Sequence, residues 1–243
     1  MYLWIIELSQ WYNIPMSNTL LINGCSFANC WTGTETFQQK LGCDKKINIG
    51  KNATSFQRTA RSTIEWIAQN GNPEWVIIPI TFLHRWELAI AKKDDPLDGT
   101  WFPLQGFNFV KEQLSELVGA DRVEGLLTNY YSIIPDVRTS WDKGFTEIIL
   151  LASFLEQRNI NYLMFDMCNN FDKKHLVGYN GFEKLKFIEN NMRIINLFEF
   201  CGNKFMWNTL SDERKKKTDP FGYHHNGMQY SYLENYILNY LQL

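Results

Sequence analysis

An almost continuous apolar run, Trp75–Ile80 (WVIIPI), constrains the fold of this chain more than any other sequence feature. Strands with one face in water alternate apolar and polar residues, whereas strands of a parallel sheet are covered on both faces and read as apolar throughout. The turn-forming residues Gly71, Asn72 and Pro73 stand just before the run. The run therefore predicts a central strand of a parallel sheet.

Strand-like and helix-like segments alternate along the rest of the chain. Strands are predicted at Thr19–Asn23, Lys46–Ile49, Asn161–Phe165 and Arg193–Leu197, helices at Ala53–Gln69, Lys143–Arg158, Phe182–Asn190 and Gly227–Leu241, and a loop at Pro96–Gly106. Such alternation predicts a parallel sheet with helices on both faces. We expect an α/β fold, a single-domain three-layer α/β/α sandwich over residues 16–243, with a flavodoxin-like five-stranded sheet in the order 2-1-3-4-5. Residues 1–15 are interpreted as an N-terminal extension of unknown role.

Charge and cysteine content exclude several function classes. The formal net charge is −2, and a nucleic-acid or anionic-membrane partner requires a basic surface, so neither partner is expected. The apolar run near the N-terminus is too short to span a bilayer and lacks the features of a signal peptide. The five cysteines include no C-x-x-C pair, which argues against a zinc site and favours a reducing, cytoplasmic setting, in a host cell or a virion if the protein is viral.

A serine follows the first predicted strand, in the run Gly24-Cys25-Ser26-Phe27. In open α/β sheets the ligand crevice lies beyond the carboxyl ends of the strands, so the Ser26 hydroxyl would face it. A nearby helix N-terminus could stabilise an oxyanion there. The alternative is a turn serine that caps the next helix. Cys25 could in principle be a thiol nucleophile, but adjacent turn residues diverge and its side chain is expected in the core.

A second candidate segment precedes the last helix and contains Asp219, His224 and His225. A serine nucleophile needs a general base, which is usually an imidazole oriented by a carboxylate. Two of the four histidines of the chain stand in this segment. A solvated loop with two histidines is the alternative interpretation.

Together these segments resemble the SGNH (GDSL-like) hydrolase superfamily, in the right order from about Thr19 to the end of the chain. Gly24-Cys25-Ser26-Phe27 resembles the first block, with Cys in the Asp position, and Asn48–Ser55 resembles the second, with Asn52 in place of the usual Gly. Val76–Glu87 is similar to a form of the third block associated with phage-encoded members, and it lacks the usual Asn. Asp219 and His224 resemble the fifth block, with a longer gap between them.

The resemblance implies a serine esterase acting on small acyl esters, such as O-acetyl groups of carbohydrates, without metal or organic cofactor. Ser26 would be the nucleophile, His224 the base and Asp219 its orienting carboxylate, in a triad or a dyad. Oxyanion or substrate contacts would come from Asn52, Thr81, Arg85, Arg61 and His225. The alternative is a non-catalytic SGNH-like domain that binds glycans or serves as a virion component. A nucleotide-binding protein is less favoured because no G-x-G-x-x-G follows the first strand.

Charged residues near the predicted crevice permit two interpretations. Arg61 lies on the first long helix, while Arg85 and Glu87 follow the central strand. They could orient a substrate or bind an anionic group. Alternatively, an Arg–Glu ion pair could simply fix the geometry of the loop.

Overall fold

A computed structural model of the chain describes thirteen segments. These are residues 17–30, 34–51, 54–83, 85–91, 99–104, 114–116, 119–120, 122–125, 128, 137–166, 170–171, 182–196 and 227–243. The proposed extension, residues 1–15, lies outside them.

Five parallel strands form the central sheet. They are β1 (Ser17–Ile22), β2 (Lys45–Asn48), β3 (Pro73–Ile80), β6 (Asn161–Asp166) and β7 (Ile194–Asn196). Their order is β2-β1-β3-β6-β7, with every neighbouring pair parallel. Counted along this sheet alone, the order is 2-1-3-4-5, which confirms the predicted flavodoxin-like arrangement.

The central strand β3 explains why its sequence is apolar throughout. It pairs with β1 on one side and β6 on the other. Its side chains alternate between two cores: Val76 and Ile78 enter one, and Trp75 and Ile77 enter the other. Since both faces are buried, neither set of positions can be polar.

Helices cover both faces of the sheet and complete the three layers. The helices are α1 (Ser26–Cys30), α2 (Glu35–Lys40), α3 (Phe56–Asn70), α4 (Val137–Gln157), α5 (Phe182–Asn191) and α6 (Gly227–Leu241). One core contains residues of α3, α4 and α5, including Phe56, Phe145 and Leu185. The other contains residues of α1, α2 and α6, including Ala28 and Phe37. The C-terminal helix therefore lies on the same face as the helices that follow Ser26.

The prediction of a loop at Pro96–Gly106 is wrong. Strand β5 (Gly99–Leu104) pairs antiparallel with β4 (Trp86–Ala91) in a separate two-stranded sheet. The β-favouring run Thr100-Trp101-Phe102 outweighs the turn-forming residues around it. Pro103 is tolerated because a two-stranded sheet leaves one edge of each strand unpaired.

Helix boundaries also differ from the predicted ones, for local reasons. Helix α3 begins at Phe56 rather than at Ala53, because the Ser55 side chain accepts a hydrogen bond from the backbone N–H of Arg58 and caps the helix. Helix α4 begins six residues earlier than predicted, at Val137. Its sequence has no proline between that residue and Gly144 to stop it.

Candidate active site

Ser26 occupies the position that the sequence predicts, at the start of a helix just beyond a strand. Strand β1 ends at Ile22, and α1 begins at Ser26. The backbone carbonyl of Cys25 accepts the N–H of Asn29 at 3.0 Å, so Ser26 lies in the first turn. Ser26 is half-buried, whereas Cys25 is fully buried in the core as expected. The nucleophile candidate at this turn is therefore the hydroxyl rather than the thiol.

Gly24 allows the Ser26 turn to pack against the neighbouring strand. A Cβ atom on Gly24 would lie 2.9 Å from the Cβ of Ala28 and 3.0 Å from the carbonyl oxygen of Pro79. Both distances are below normal contact, and neither atom is the end of a flexible side chain. The loop after β1, which we call the β1 loop (residues 23–25), thus touches β3 near that strand's carboxyl end.

The segment after β2 is hydrogen-bonded to the same turn. The backbone N–H of Lys51 donates to the carbonyl of Gly24 at 3.0 Å. The Asn48 side chain donates to the carbonyl of Ala28 at 2.7 Å and accepts from the N–H of Gly50 at 2.9 Å. These bonds bring the first and second predicted blocks together. Asn52, the predicted oxyanion donor of this segment, lies outside the described residues.

Asn23 anchors the β1 loop from within. Its side-chain oxygen accepts the N–H of Gly24 at 2.8 Å. Its amide nitrogen lies within hydrogen-bond distance of three acceptors on α3: the carbonyl of Thr59 and the hydroxyls of Ser62 and Thr63. The sequence analysis did not identify Asn23 as an anchor of the loop. A polar residue directly after an apolar strand is the sequence feature that could have identified it.

The segment after β3, which we call the β3 loop (residues 81–85), carries two of the predicted site residues. Thr81 is fully buried, and its hydroxyl accepts a hydrogen bond from Nη1 of Arg85 at 3.3 Å. The Arg85 guanidinium also lies 4.8 Å from the centre of the Phe82 ring, within range of a cation–π contact. His84 lies outside the described residues. Strands β1 and β3 are neighbours, so Ser26 and Thr81 follow adjacent strands at the same edge of the sheet.

A buried polar network that the sequence analysis missed holds the β3 loop. The Asn170 side chain accepts the N–H of Leu83 at 3.1 Å and donates to the carbonyl of Thr81 at 3.1 Å and to Asp166 at 2.7 Å. Asp166 ends β6, is fully buried, and also accepts the N–H of Phe171 at 3.1 Å. No local pattern links these residues to a loop more than 80 positions earlier, so single-sequence reasoning offers no signal for them.

Arg61 forms ion pairs in the structure. Its guanidinium contacts Glu87 at 3.2 Å and Glu65 at 3.4 Å. The Glu87 side chain is 1% exposed, and burial raises its pKa while the Arg61 contact opposes that rise. The Arg61–Glu87 pair therefore joins α3 to the second residue of β4. This geometry matches the ion-pair interpretation of Arg61, with Arg61 rather than Arg85 as the partner of Glu87.

The C-terminal helix is attached to the segment that follows Ser26. Leu233, Ile237 and Leu238 of α6 are buried in the core that contains Ala28 and Phe37. Glu234 accepts two hydrogen bonds from Thr34, one from the backbone N–H at 2.8 Å and one from the hydroxyl at 2.6 Å. Asp219, His224 and His225 lie outside the described residues, which resume at Gly227. Their convergence on Ser26 stays a prediction.

Within the described ranges, no cluster of three or more His, Cys, Asp or Glu residues could ligate a metal ion. Across the same ranges, no helix combines the length and the apolar character that crossing a membrane requires.

Comparisons with known proteins find similarity of structure but not of sequence family. Scans against protein-family models and curated proteins find no match. Among solved structures, the chain is similar to a putative acylhydrolase from Bacteroides fragilis, with a TM-score of 0.49 and 12% identity over 96% of this chain and 93% of the other. It is also similar to the psychrotrophic esterase EstA from Pseudoalteromonas sp., with a TM-score of 0.49 and 13% identity over 93% and 100% of the two chains. At these values the function of the chain must be argued from its own residues.

Proposed function

We propose that the chain is a serine hydrolase that cleaves small acyl esters, with Ser26 as the nucleophile. One observation carries the proposal: Ser26 begins a helix directly beyond β1, beside the loop that follows β3. In the strand order found here, the chain passes from β1 to β2 on one side and then crosses to β3 on the other. The carboxyl ends of β1 and β3 flank this switch point, where ligands of open α/β sheets bind.

The close packing of the Ser26 turn supports a catalytic role. A Cβ atom added at Gly24 or at Gly50 would lie 2.9 Å from the Cβ of Ala28, so neither position has room for a side chain, and backbone hydrogen bonds join the turn to the segment after β2. A nucleophile must be held in a defined geometry to react efficiently, since small misplacements cost large factors in rate. A serine that merely capped a helix would not require this packing.

The C-terminal segment is the proposed source of the base. Helix α6 packs on the face that carries α1 and α2, and it begins at Gly227, directly after the segment with His224 and His225. Each helical residue advances the axis by about 1.5 Å, so Gly227, the first residue of α6, lies about 10 Å along the axis from Glu234. Glu234 in turn contacts Thr34, eight residues after Ser26 in sequence. We propose that the segment before Gly227 brings His224 to Ser26.

In the proposed reaction, Ser26 Oγ attacks the ester carbonyl while His224 takes the hydroxyl proton. The tetrahedral intermediate collapses, and His224 gives the proton to the leaving alcohol. Water then attacks the acyl-enzyme with the same histidine as base, releasing the acid and restoring Ser26. Asp219 orients the imidazole, and His225 contacts the substrate.

Oxyanion stabilisation is assigned to the backbone N–H groups of Ser26 and Asn52. Thr81 and Arg85 together are the proposed replacement for the third-block asparagine that the SGNH resemblance would require. The partly exposed Arg85 guanidinium would donate to the oxyanion, and the fully buried Thr81 would orient it by accepting its hydrogen bond. Removing one oxyanion donor typically costs ~10²–10³ in rate. We place an O-acetylated carbohydrate first among the substrates.

The test combines ester hydrolysis with covalent labelling. Wild-type protein should hydrolyse 4-nitrophenyl acetate and be labelled by a phosphonate ester at Ser26, as identified by peptide mass spectrometry. Ser26→Ala and His224→Ala should abolish both the hydrolysis and the labelling. His225→Ala should leave the proton transfer from Ser26 intact. If Ser26→Ala leaves the hydrolysis rate unchanged, the chain is not a serine hydrolase, and a binding role for acylated glycans replaces the proposal.

A further inference from the structure

We propose that Lys51 and Arg58 form a cationic patch beside Ser26 that selects acyl esters whose alcohol part carries a negative charge. This inference rests on the proposed function and narrows its substrate class. An acetyl group carries no charge, so the charge of such a substrate lies on the alcohol. Lys51 follows β2 and is exposed, and Arg58 lies in the first turn of α3.

The segment after β2 places both cations against the Ser26 turn. The backbone N–H of Lys51 donates at 3.0 Å to the carbonyl of Gly24, two residues before Ser26. Consecutive Cα atoms are 3.8 Å apart, so the Cα atoms of Gly24 and Ser26 are separated by less than about 8 Å. The Arg58 guanidinium donates to the carbonyl of Ile49 through both Nη atoms, each at 3.3 Å. Both cations therefore adjoin the turn that carries the proposed nucleophile.

The contact with Ile49 leaves Arg58 able to bind a second acceptor. A guanidinium has five N–H groups in a fixed fork, and the Ile49 carbonyl accepts one from each Nη. The edge formed by Nε and one Nη is the edge that binds a carboxylate or phosphate through two parallel hydrogen bonds. Because Ile49 already orients the guanidinium, less conformational freedom is lost when an anion binds.

Neighbouring carboxylates do not neutralise the cationic patch. Among the residues that the structure describes, neither Lys51 nor Arg58 forms an ion pair. In the described segments that directly follow the strands, the carboxylates are Glu87 and Asp166. Glu87 is buried and paired with Arg61, and Asp166 is fully buried in the network that holds the β3 loop. The patch is thus left to an anion from outside the chain.

Arg58 gains more from a bound anion than a fully hydrated cation would. Burial lowers the pKa of Arg58, the Glu87 charge opposes this change, and the Arg61 charge adds to it. A partly buried cation has lost hydration, and an opposite charge at contact distance recovers part of that loss. Since the chain has a net charge of −2, this attraction is local to the carboxyl edge rather than a property of the whole surface.

The experiment uses the full-length protein and three acetyl esters that differ only in the group para to the ester. They are 4-acetoxybenzoate, 4-acetoxyphenyl phosphate and the neutral methyl 4-acetoxybenzoate. For each protein we measure the ratio of kcat/KM for an anionic ester to kcat/KM for the neutral ester. Intrinsic differences in ester reactivity cancel when this ratio is compared between proteins. The two anionic esters distinguish recognition of a carboxylate from recognition of a phosphate.

The variants separate charge from geometry. Lys51→Gln and Arg58→Gln each remove one charge, whereas Arg58→Lys keeps the charge and loses the planar fork. Lys45→Gln is the matched control, because Lys45 is also exposed but begins β2 at the opposite edge of the sheet. Arg58→Gln also loses the hydrogen bonds to Ile49, so the melting temperature is measured for every variant. Lys51→Gln, at an exposed side chain, carries the test if Arg58→Gln is unstable.

We expect the ratio for at least one anionic ester to fall about three- to tenfold in Lys51→Gln and in Arg58→Gln, because partly exposed charges interact modestly. The kcat/KM for the neutral ester should stay within about twofold of wild type in both variants. Arg58→Lys should give an intermediate ratio, and Lys45→Gln should match wild type. Raising the salt concentration from about 0.01 M to about 1 M shortens the Debye length from about 30 Å to about 3 Å, so the wild-type ratio should fall.

Two results would overturn the inference in different ways. If folded Lys51→Gln and Arg58→Gln keep the wild-type ratios while hydrolysis still depends on Ser26, the cationic patch does not select substrates and the hydrolase stands. If no ester is hydrolysed in a manner that depends on Ser26, the proposed function has failed, and the substrate class inferred from it fails as well.

Discussion

The β1 loop and the β3 loop lie at the same edge of the sheet, and each depends on one buried asparagine. In the β1 loop the asparagine is the loop's own residue, Asn23, which reaches out to α3. In the β3 loop it is Asn170, which follows the end of β6 in sequence and lies outside the loop. The first loop thus contains its own anchor, whereas the second is held by a distant part of the chain.

The difference bears on which substitutions each loop tolerates. The β1 loop combines Asn23 with Gly24 in adjacent positions, so its own residues supply both the hydrogen bonds to α3 and the close contacts with Ala28 and Pro79. The β3 loop can acquire new residues at positions 82–85 as long as Thr81 and Leu83 present backbone groups to Asn170. Under the proposed function, this division would suit a fixed nucleophile directly after the β1 loop and variable substrate contacts in the β3 loop.

Replacing either asparagine by alanine is expected to give the largest loss of stability. Asn170→Ala leaves the Leu83 N–H, the Thr81 carbonyl and one Asp166 oxygen without this partner, and each buried polar group left unsatisfied costs about 1–3 kcal/mol. We expect about 3 kcal/mol from urea unfolding for Asn170→Ala and a similar value for Asn23→Ala.

Asn191→Ala is the control, because that amide is exposed and donates to the Phe187 carbonyl of its own helix at 2.8 Å. The two core variants should differ in function: Asn23→Ala should slow phosphonate labelling of Ser26, and Asn170→Ala should mainly raise KM. Equal effects on labelling would show that the two loops are not independently supported.

Adding one carbon to Gly24 tests whether close packing supports the β1 loop as strongly as hydrogen bonding does. A Cβ there would meet Ala28 at 2.9 Å and the Pro79 carbonyl at 3.0 Å. Overpacking of this kind costs typically about 1–3 kcal/mol, so Gly24→Ala should lower the free energy of unfolding by about 2 kcal/mol. Gly125→Ala, where a Cβ meets nothing within 4 Å, should be neutral or slightly stabilising. A thermal melt of both variants checks the contrast.

The same contrast explains what the sequence could and could not predict. The sheet order and Ser26 at the start of a helix follow from apolar runs and a glycine-containing turn, which are local patterns. Asn170 and Asp166 act on a loop more than 80 residues away, and no local pattern encodes such a contact. The β4–β5 hairpin was missed for a related reason: its residues include Pro and Gly, and only pairing between two separated segments makes them strands.

The Arg61–Glu87 pair allows a further test, with a smaller expected effect, of what holds β4 in place after the β3 loop. Glu87 is almost fully buried in β4, whereas the Arg61 side chain is 28% exposed. Arg61→Met leaves a buried carboxylate without this partner, and we expect a loss of about 1–2 kcal/mol, less than for a fully buried pair. Adding Glu87→Gln to Arg61→Met should recover part of that loss in a double-mutant cycle. Additive effects would contradict a direct coupling between the two side chains.

The smallest expected effect concerns Glu147, which forms an ion pair with Lys143 of the same helix, α4, at 3.0 Å. Burial raises the pKa of Glu147, the Lys143 charge opposes the rise, and the Glu87 charge adds to it. The folded state therefore holds the proton more tightly than the unfolded state does. As the pH rises from the ordinary carboxyl value, ~4.3, through the raised value, Glu147 lowers the free energy of unfolding.

Glu147→Gln removes this dependence, so the stability of the variant minus that of wild type should increase as the pH rises from the ordinary carboxyl pKa through the raised pKa of Glu147, and then level off. Glu65→Gln, at a carboxylate that is 53% exposed, serves as the comparison on α3. The measurement is urea unfolding at intervals of half a pH unit for wild type and both variants. A difference for Glu147→Gln that falls as the pH rises would mean that the contact with Lys143 outweighs burial.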